Sequence, residues 1–370
     1  MQFKQTHQLF IQIMRTTMEI KFKDRKPVQL EQYIGETLSQ NAPWILSYKR
    51  IGQKRIPIVT SRLSIRDHWG FIKMRLGIGR TRYTIQPGLY GIGDPDPHSP
   101  VFVTANYKMS FDILRRDLRS INGWILVLDT RGINVWCAAG KGTFGTEELI
   151  RRINLTHLSQ VVSHRDLILP QLGAVGVAAH EVKKQIGFKV FYGPVYSRNI
   201  RVFLENGRKV DPEMRRIRFS LSNRLAVTPL ELFPALKYFP LFVLFFILKM
   251  ELLNEPLTLF LRDSMGLLSA VVIGSVLVPI LLPVIPGRAF SFKGAFLGFL
   301  FALIWSQITA QSLMNTLTNL LIYTSAASYL ALNFTGTSTF TNMSGVYKEM
   351  RISLPFIIPS IIVGLILYWF

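Results

Sequence analysis

A single thiol, Cys137, is available to 370 residues, and it sits in Gly132-Ile133-Asn134-Val135-Trp136-Cys137-Ala138-Ala139-Gly140-Lys141-Gly142. As a thiolate, a cysteine is a nucleophile or a ligand for a soft or borderline metal. Alone, it can form no intramolecular disulfide and hold no cysteine-based iron–sulfur cluster, so any electrons the chemistry needs come from a partner. Lone cysteines are also common as small packed hydrophobes, and the residue types by themselves leave both readings open. His157, His164 and His180 have no Cys, Asp or Glu at a recognised zinc spacing, and they read as structural or surface residues. Gly77-Ile78-Gly79 lacks the third glycine of a dinucleotide fingerprint, because position 82 is Arg82.

The elements around the thiol form an α/β pattern. Trp124–Leu128 is an apolar run of buried-strand type, and Asp129-Thr130 closes it with a turn signal. Trp136-Cys137-Ala138-Ala139, bracketed by Asn134 and Gly140, is capped like a short helical turn. Upstream, Val101–Thr104 reads as a strand. Ser110–Arg119 reads as a helix with Ser110 as N-cap and Phe111, Leu114 and Leu118 on one side. The result is a β-α-β unit whose second strand delivers the Cys137 segment. Ligands gather at the carboxyl ends of such strands, where Thr104 closes the first and Asn134–Lys141 follow the second. Thr146 is placed as the N-cap of a helix to about Asn154. Val161–Ser163 and Val175–Val177 carry short strand signals, Ala178–Ile186 is a helix and Phe188–Gly193 a strand. Residues 63–100 read as a Gly/Pro-rich connection, and Ile58–Thr60 as a short strand.

The string Asn134-Val135-Trp136-Cys137-Ala138-Ala139-Gly140-Lys141 resembles the signature of the mercury-methylation corrinoid proteins, the HgcA family. Val101–Tyr107, Val127–Thr130 and Gly142–Glu148 resemble it too, and the likeness covers roughly residues 90–200. That corrinoid domain is in turn similar to the one in the large subunit of the corrinoid iron–sulfur protein of the acetyl-CoA pathway. The resemblance implies a cobalamin-type corrinoid cofactor lying against a cap helix, with Cys137 as lower axial cobalt ligand. It implies that Thr104 lies near the corrinoid and that Asn134, Val135, Ala138 and Ala139 hold the cap helix flush to the ring. Trp136 then packs beside it, and Gly140-Lys141-Gly142 offers backbone N–H groups and one cation. Leu169–Gly176 and, less directly, His180 are further corrin-edge candidates. Asp96-Pro97-His98 opens like the Asp-x-His-x-x-Gly signature of histidine-ligated cobalamin proteins, but Val101 stands where glycine belongs, so His98 reads as a turn histidine.

Composition divides the chain. Apolar runs dominate from about residue 232 onward, where seven basic and four acidic side chains leave +18 of the formal +21 to residues 1–231. No zinc-finger cysteines or recognition helix accompany that charge, so nucleic acid is not the expected partner. A basic domain beside an anionic cytoplasmic leaflet fits it, with a juxtamembrane belt of Arg198, Arg201, Arg208, Lys209, Arg215, Arg216, Arg218 and Arg224. Lys21, Lys23, Arg25 and Lys26 form a further basic cluster, and Met1–Glu19 lacks the continuous apolar core of a secretory signal. Five spans are expected, at about 234–254, 265–285, 294–313, 316–333 and 352–370. No acidic or basic path is expected through them, which argues against a transporter or pump.

The expected architecture is therefore a Rossmann-like α/β corrinoid-binding domain followed by an all-α membrane domain of five transmembrane helices. Residues 1–90 form an N-terminal extension, 91–200 the corrinoid domain, 201–231 a basic linker and 232–370 the membrane domain. The expected activity is corrinoid-dependent methyl transfer from cobalt to Hg(II), forming methylmercury. The alternatives are a membrane-anchored methyl carrier of one-carbon metabolism and a non-catalytic membrane scaffold. The partners implied are a ferredoxin-like 4Fe-4S protein as electron donor and a methyl-donor protein or methyl-tetrahydrofolate system. The location implied is the inner membrane, with the corrinoid domain on the cytoplasmic side. Protease added to right-side-out vesicles should leave residues 1–231 intact; cleavage within them would reverse this topology.

Overall fold

A computed structural model describes residues 42–335 and 343–369. The basic cluster at 21–26 and the segment Met1–Glu19 lie outside the described residues. The chain divides into two compact units: the residues up to His68 with Thr81–Arg215, and Trp69–Arg80 with Arg216–Phe370.

The first unit is built on a seven-stranded sheet: β1 (Ile45–Ile51), β2 (Lys54–Val59), β3 (Gly88–Ile92), β4 (Val101–Ala105), β5 (Gly123–Leu128), β6 (Asp166–Leu169) and β7 (Lys189–Tyr192), ordered β1-β2-β3-β5-β4-β6-β7. From β5 to β7 all neighbours are parallel, whereas β3 runs antiparallel to β5 and β1 antiparallel to β2. The sheet is thus mixed, where a Rossmann-like pattern alone is expected. The cause is the segment before residue 100, which holds a hairpin and a strand rather than a plain connection. The glycines of β3, 88 and 91, look like turn residues in sequence and disguise the strand.

Pleating sorts the core into two layers. Val101, Val103 and Ala105 of β4, with Trp124, Leu126 and Leu128 of β5, face one layer. Phe102, Ile125 and Val127 face the other. The helices α2 (Lys108–Asp117) and α4 (Thr146–Thr156) cover opposite faces: Phe111 and Leu114 join the second layer, Leu149 and Ile153 the first. α2 begins two residues before the expected Ser110 cap. Gly145, not Thr146, caps α4, because the Thr146 hydroxyl is taken by the backbone N–H of Ala178 at 2.8 Å. Val161 ends a single helical turn, and Val175–Val177 lies in an irregular loop, so neither forms the expected strand.

A helix not foreseen, α1 (Ile65–Arg75), precedes β3. Its start is a capping box. The Asp67 carboxylate accepts from Ser64 N–H and hydroxyl, both at 2.9 Å, and Asp67 N–H donates to Ser64 Oγ at 3.2 Å.

The second unit is a multi-pass membrane domain. Four of its helical segments are long and apolar enough to cross a bilayer: Leu221–Leu253, Leu257–Leu281, Phe290–Ile308 and Gly345–Leu367. A fifth helix of matching length, Leu313–Phe334, stands where a span is expected but falls short on apolarity, so four of the five expected spans stand on length and apolarity among the described residues. Several of its polar side chains face inward instead. Thr318, Asn319, Ser325 and Ser328 are all buried. Asn319 donates to Ser306 Oγ and Gln311 Oε1, and Ser328 to the Ser291 carbonyl. At Gly294 a Cβ would come within 2.5 Å of the Ala327 carbonyl, so this helix and its neighbour pack backbone to backbone. Ionisable groups are buried here too. Asp263 is held by Arg262 and Tyr368, and Lys293 donates to the carbonyls of Leu282 and Ile285. Arg224, expected in the lipid-facing belt, is buried and donates to the Ile280 carbonyl at 2.6 Å. Of that belt, Arg208 pairs with Asp166 and Arg201 with Glu205.

The first unit also buries a closed ring of four charges. Lys108 Nζ reaches Asp67 at 2.6 Å and Asp112 at 2.5 Å, while Arg115 reaches the same two carboxylates at 2.8 Å each. Arg115 donates further to the carbonyls of Thr60 and Arg62. Burial alone would raise the Asp67 carboxyl, but hydrogen bonds from Lys108 and Ser64, with the Lys108 charge, hold it well below the ordinary carboxylate range. A carboxylate lowered in the folded state adds stability above its unfolded value of about 4, and that stability is lost as pH falls through the folded value. Asp112→Ala leaves two buried cations short of a partner and should cost about 3–5 kcal/mol in unfolding of the detergent-solubilised chain. The destabilisation by Asp67→Asn should shrink as the pH is taken below about 4; a cost independent of pH would show that the carboxylate charge is not what stabilises the ring.

Candidate functional site

The strand order places a topological switch between β4 and β6, since the chain moves from β4 to β5 on one side and returns to β6 on the other. Register pairs Thr104 with Val127 and Ala105 with Leu128, so the two strands end together. Asn106, the next residue, organises the turn after β5. Its Oδ1 accepts from the N–H groups of Thr130 and Gly132, both at 3.0 Å, and lies 2.8 Å from the Thr130 hydroxyl. Its Nδ2 donates to Asp129 at 3.2 Å, and Asp129 N–H donates to Glu148 at 2.8 Å. The turn itself needs left-handed backbone at Arg131 (φ 57°) and Gly132 (φ 71°). Sequence reasoning singles out neither Asn106 nor Glu148. The one available signal for Asn106 is a polar residue directly after a buried strand.

The turn delivers α3 (Val135–Gly140), as the bracketing by Asn134 and Gly140 suggests. Asn134 is its N-cap, accepting from Cys137 N–H at 2.9 Å. One side of the helix is sealed: Ala138 and Ala139 are buried against the first core layer with Phe144. The loop after β6 closes over them. At Gly176 a Cβ would fall 2.1 Å from the Phe144 carbonyl and 3.0 Å from Ala139 Cα, so only glycine fits there. That loop is pinned by the Tyr192 hydroxyl, which donates to the Val177 carbonyl.

The other side is open. Val135, Trp136 and Cys137 are half-buried, and Val175 is 80 % exposed. Gly140 and Gly142 leave open space where a side chain would stand. Lys141 follows at the helix end. Desolvation lowers its ammonium below the usual lysine range, and the neighbouring Cys137 opposes this. Gln171 Oε1, in the turn after β6 that packs against α3, is buried without a hydrogen-bond partner among the described residues. An apolar shelf bearing one thiol, small residues behind it, a cation at its end and an unsatisfied amide oxygen beside it suit a flat, polar-edged macrocycle. The residues present therefore fit a corrinoid.

The structure brings Asn134–Lys141 together on this one element. Thr104 is buried at the end of β4, and pleating turns it to the Phe102 side, whereas Ala138 and Ala139 pack on the Val103 and Ala105 side. It shares the sheet edge with α3 but lies on the opposite face of the strand. His98 lies in a turn, with Nδ1 2.9 Å from Ser163 Oγ; His164 Nε2 meets the Ser99 carbonyl at 2.9 Å, and His180 is exposed beside Glu181.

Residues 78–204 match the family described as CdhD, the CO dehydrogenase/acetyl-CoA synthase delta subunit. The chain is also similar to the acetyl-CoA decarbonylase/synthase complex subunit gamma of Archaeoglobus fulgidus. The two are 37% identical over 128 residues, which are 34% of this chain and 27% of that protein. The subunit gamma of Methanopyrus kandleri is 37% identical over 123 residues, 33% of this chain and 26% of its own. Subunit gamma 2 of Methanosarcina thermophila is 30% identical over 122 residues, 32% of this chain and 26% of its own. This chain thus spans about a quarter of the length of these relatives, and the matched stretch is homologous to them. It contains α3 and the strands that carry it.

Asn106→Ala removes the acceptor of two backbone N–H groups and should lower stability by about 1–3 kcal/mol. Gly176→Ala should cost a similar amount, about 1–3 kcal/mol, by overpacking against the Phe144 carbonyl and Ala139. Denaturant unfolding of the full chain in detergent checks both. An unchanged midpoint for Asn106→Ala would mean that the turn is held by something else.

Proposed function

We propose that the first unit binds a corrinoid against α3 and passes on its methyl group, with Cys137 as the lower axial ligand of cobalt and Hg(II) as the methyl acceptor. One observation carries the corrinoid part of this reading. The sole thiol of the chain is presented half-exposed on a capped, small-residue helix at the carboxyl end of the parallel strands, within a stretch homologous to acetyl-CoA decarbonylase/synthase subunits.

The bound corrinoid would supply an organometallic methyl group, which the chain's own residues cannot form. Cys137 would supply a thiolate, since metal coordination itself removes the thiol proton. Asn134 fixes the start of α3 and so the place of Cys137. Val135 and Trp136 offer apolar surface. Ala138 and Ala139, being small and sealed, keep the helix close to the sheet. Lys141 and the open backbone at Gly140 and Gly142 would meet polar groups at the edge of the macrocycle. Gln171 Oε1 would gain the donor it lacks, an amide of the corrin periphery. Thr104 would act from the strand end. The electron donor expected is a ferredoxin-like 4Fe-4S protein, and the methyl donor a protein or methyl-tetrahydrofolate system.

The membrane domain would anchor this unit to the inner membrane, with the corrinoid side in the cytoplasm. Leu313–Phe334 would cross as a fifth helix shielded by the other four. A second reading has its own support. The homology to acetyl-CoA decarbonylase/synthase subunits favours a membrane-anchored methyl carrier of one-carbon metabolism, while the Asn134–Lys141 string favours mercury as acceptor.

Cys137→Ala should abolish methylmercury formation and change the visible spectrum of the purified, corrinoid-loaded protein. Thr104→Ala should be milder, since one hydrogen bond is worth about 0.5–1.5 kcal/mol. Full activity and an unchanged spectrum in Cys137→Ala would remove the thiolate from the assignment. Methyl transfer to a one-carbon acceptor protein but not to Hg(II), by the native chain, would select the carrier.

A further inference from the structure

The helix α1 carries an outward face that the proposed chemistry does not use. Ile65, Trp69 and Ile72 follow one another at i, i+4 and i+7, and Leu76 continues the series just past the last helical residue. At 100° per residue these four lie within about 60° of arc. They are not core. Ile65 is 88 % exposed, Trp69 56 % and Ile72 46 %, and Ile78 beyond them is 53 % exposed. The opposite face holds Asp67, Gly70 and Met74, all buried.

Between the two faces stand the polar and basic side chains. Arg66 and Lys73 flank the apolar stripe on one side, His68 and Arg75 on the other, and Arg80 and Arg82 come after them. Each flank lies about 60–100° from the centre of the stripe, so the long cationic side chains of Arg66 and Lys73 border it on one side and that of Arg75 on the other. Trp69 sits in the middle of the stripe, with Lys73 Nζ 5.9 Å from its ring centre. The face cannot roll inward, because the capping box and the ring of four charges both hold Asp67. From Trp69 onward this segment also groups with the membrane helices.

We propose that α1 is an interfacial helix that lies in the plane of the bilayer surface, its apolar stripe among the acyl chains and its cations at anionic lipid headgroups. A narrow apolar face with a central Trp and basic borders is the pattern of helices that lie on a membrane rather than cross it. The cations select the occupant, since anionic lipid is attracted to Lys and Arg within a Debye length of its surface. The inference does not depend on the corrinoid reading.

The test uses the full chain in nanodiscs of phosphatidylcholine, with or without phosphatidylglycerol. Trp69→p-benzoylphenylalanine and Ile72→p-benzoylphenylalanine are irradiated, and the adducts identified by mass spectrometry. Lipid adducts are expected at both positions, in higher yield with phosphatidylglycerol. Replacing Arg66, Lys73 and Arg75 together by Gln should reduce that yield several-fold without loss of the protein from the disc. Adducts to residues 1–41 or to another protein, or no lipid adduct at either position, would overturn the proposal. Failure of the corrinoid assignment would leave these results unchanged.

Discussion

The candidate site depends on one side chain amide. Asn106, placed at the end of β4, accepts from two backbone N–H groups of the turn after β5 and donates to the Asp129 carboxylate at its start. Two parallel strands by themselves fix only their own register. The bonds from Asn106 extend that register into an irregular loop with two left-handed residues, which would otherwise have many conformations. α3 starts two residues after that loop, so the position of Cys137 inherits the precision of the sheet. Glu148 extends the tie to α4 through the Asp129 N–H, while Arg152 neutralises it.

A second constraint acts from the far side of the switch point. The loop after β6 packs on α3 so closely that Gly176 has no room for a side chain. The cap helix is thus clamped between a turn tied to β4 and a loop tied to β6. Only its third side, with Val135, Trp136 and Cys137, stays open. For a six-residue helix, which has little stability of its own, this clamp is what makes a defined ligand surface possible.

Much of this is legible in the sequence because it is local. Asn134 before an apolar turn and Gly140 after it predict α3, and the apolar run 124–128 predicts β5. The features that escape sequence reasoning are non-local or disguised. Gly91 of β3 packs closely on its neighbours, and in sequence such a glycine looks like part of a loop. α1 has its start signal, Ser64 followed by Asp67, but its apolar stripe faces outward and runs into the Gly- and Pro-containing segment that follows it. The Asn106 hub is invisible, since its partners lie more than twenty residues away. Thr104 belongs at the strand end where sequence places it, yet its pleat, which only the register fixes, turns it to the other face. In the membrane domain, hydropathy locates four of the helices, and the polarity of the remaining one, Leu313–Phe334, has meaning only once its neighbours are known.

That last helix carries a consequence for how the protein is made. Its Asn319 and Ser328 side chains are satisfied by Ser306, Gln311 and the Ser291 carbonyl, all on or beside the preceding helix. A segment of this kind partitions weakly into lipid as a single helix, where those groups would meet hydrocarbon. Its close backbone packing against Gly294 and its bonds to the neighbour form together or not at all. The preceding helix, Phe290–Ile308, is apolar enough to enter the bilayer by itself, so a crossing by Leu313–Phe334 would have to follow it and would use it as a template.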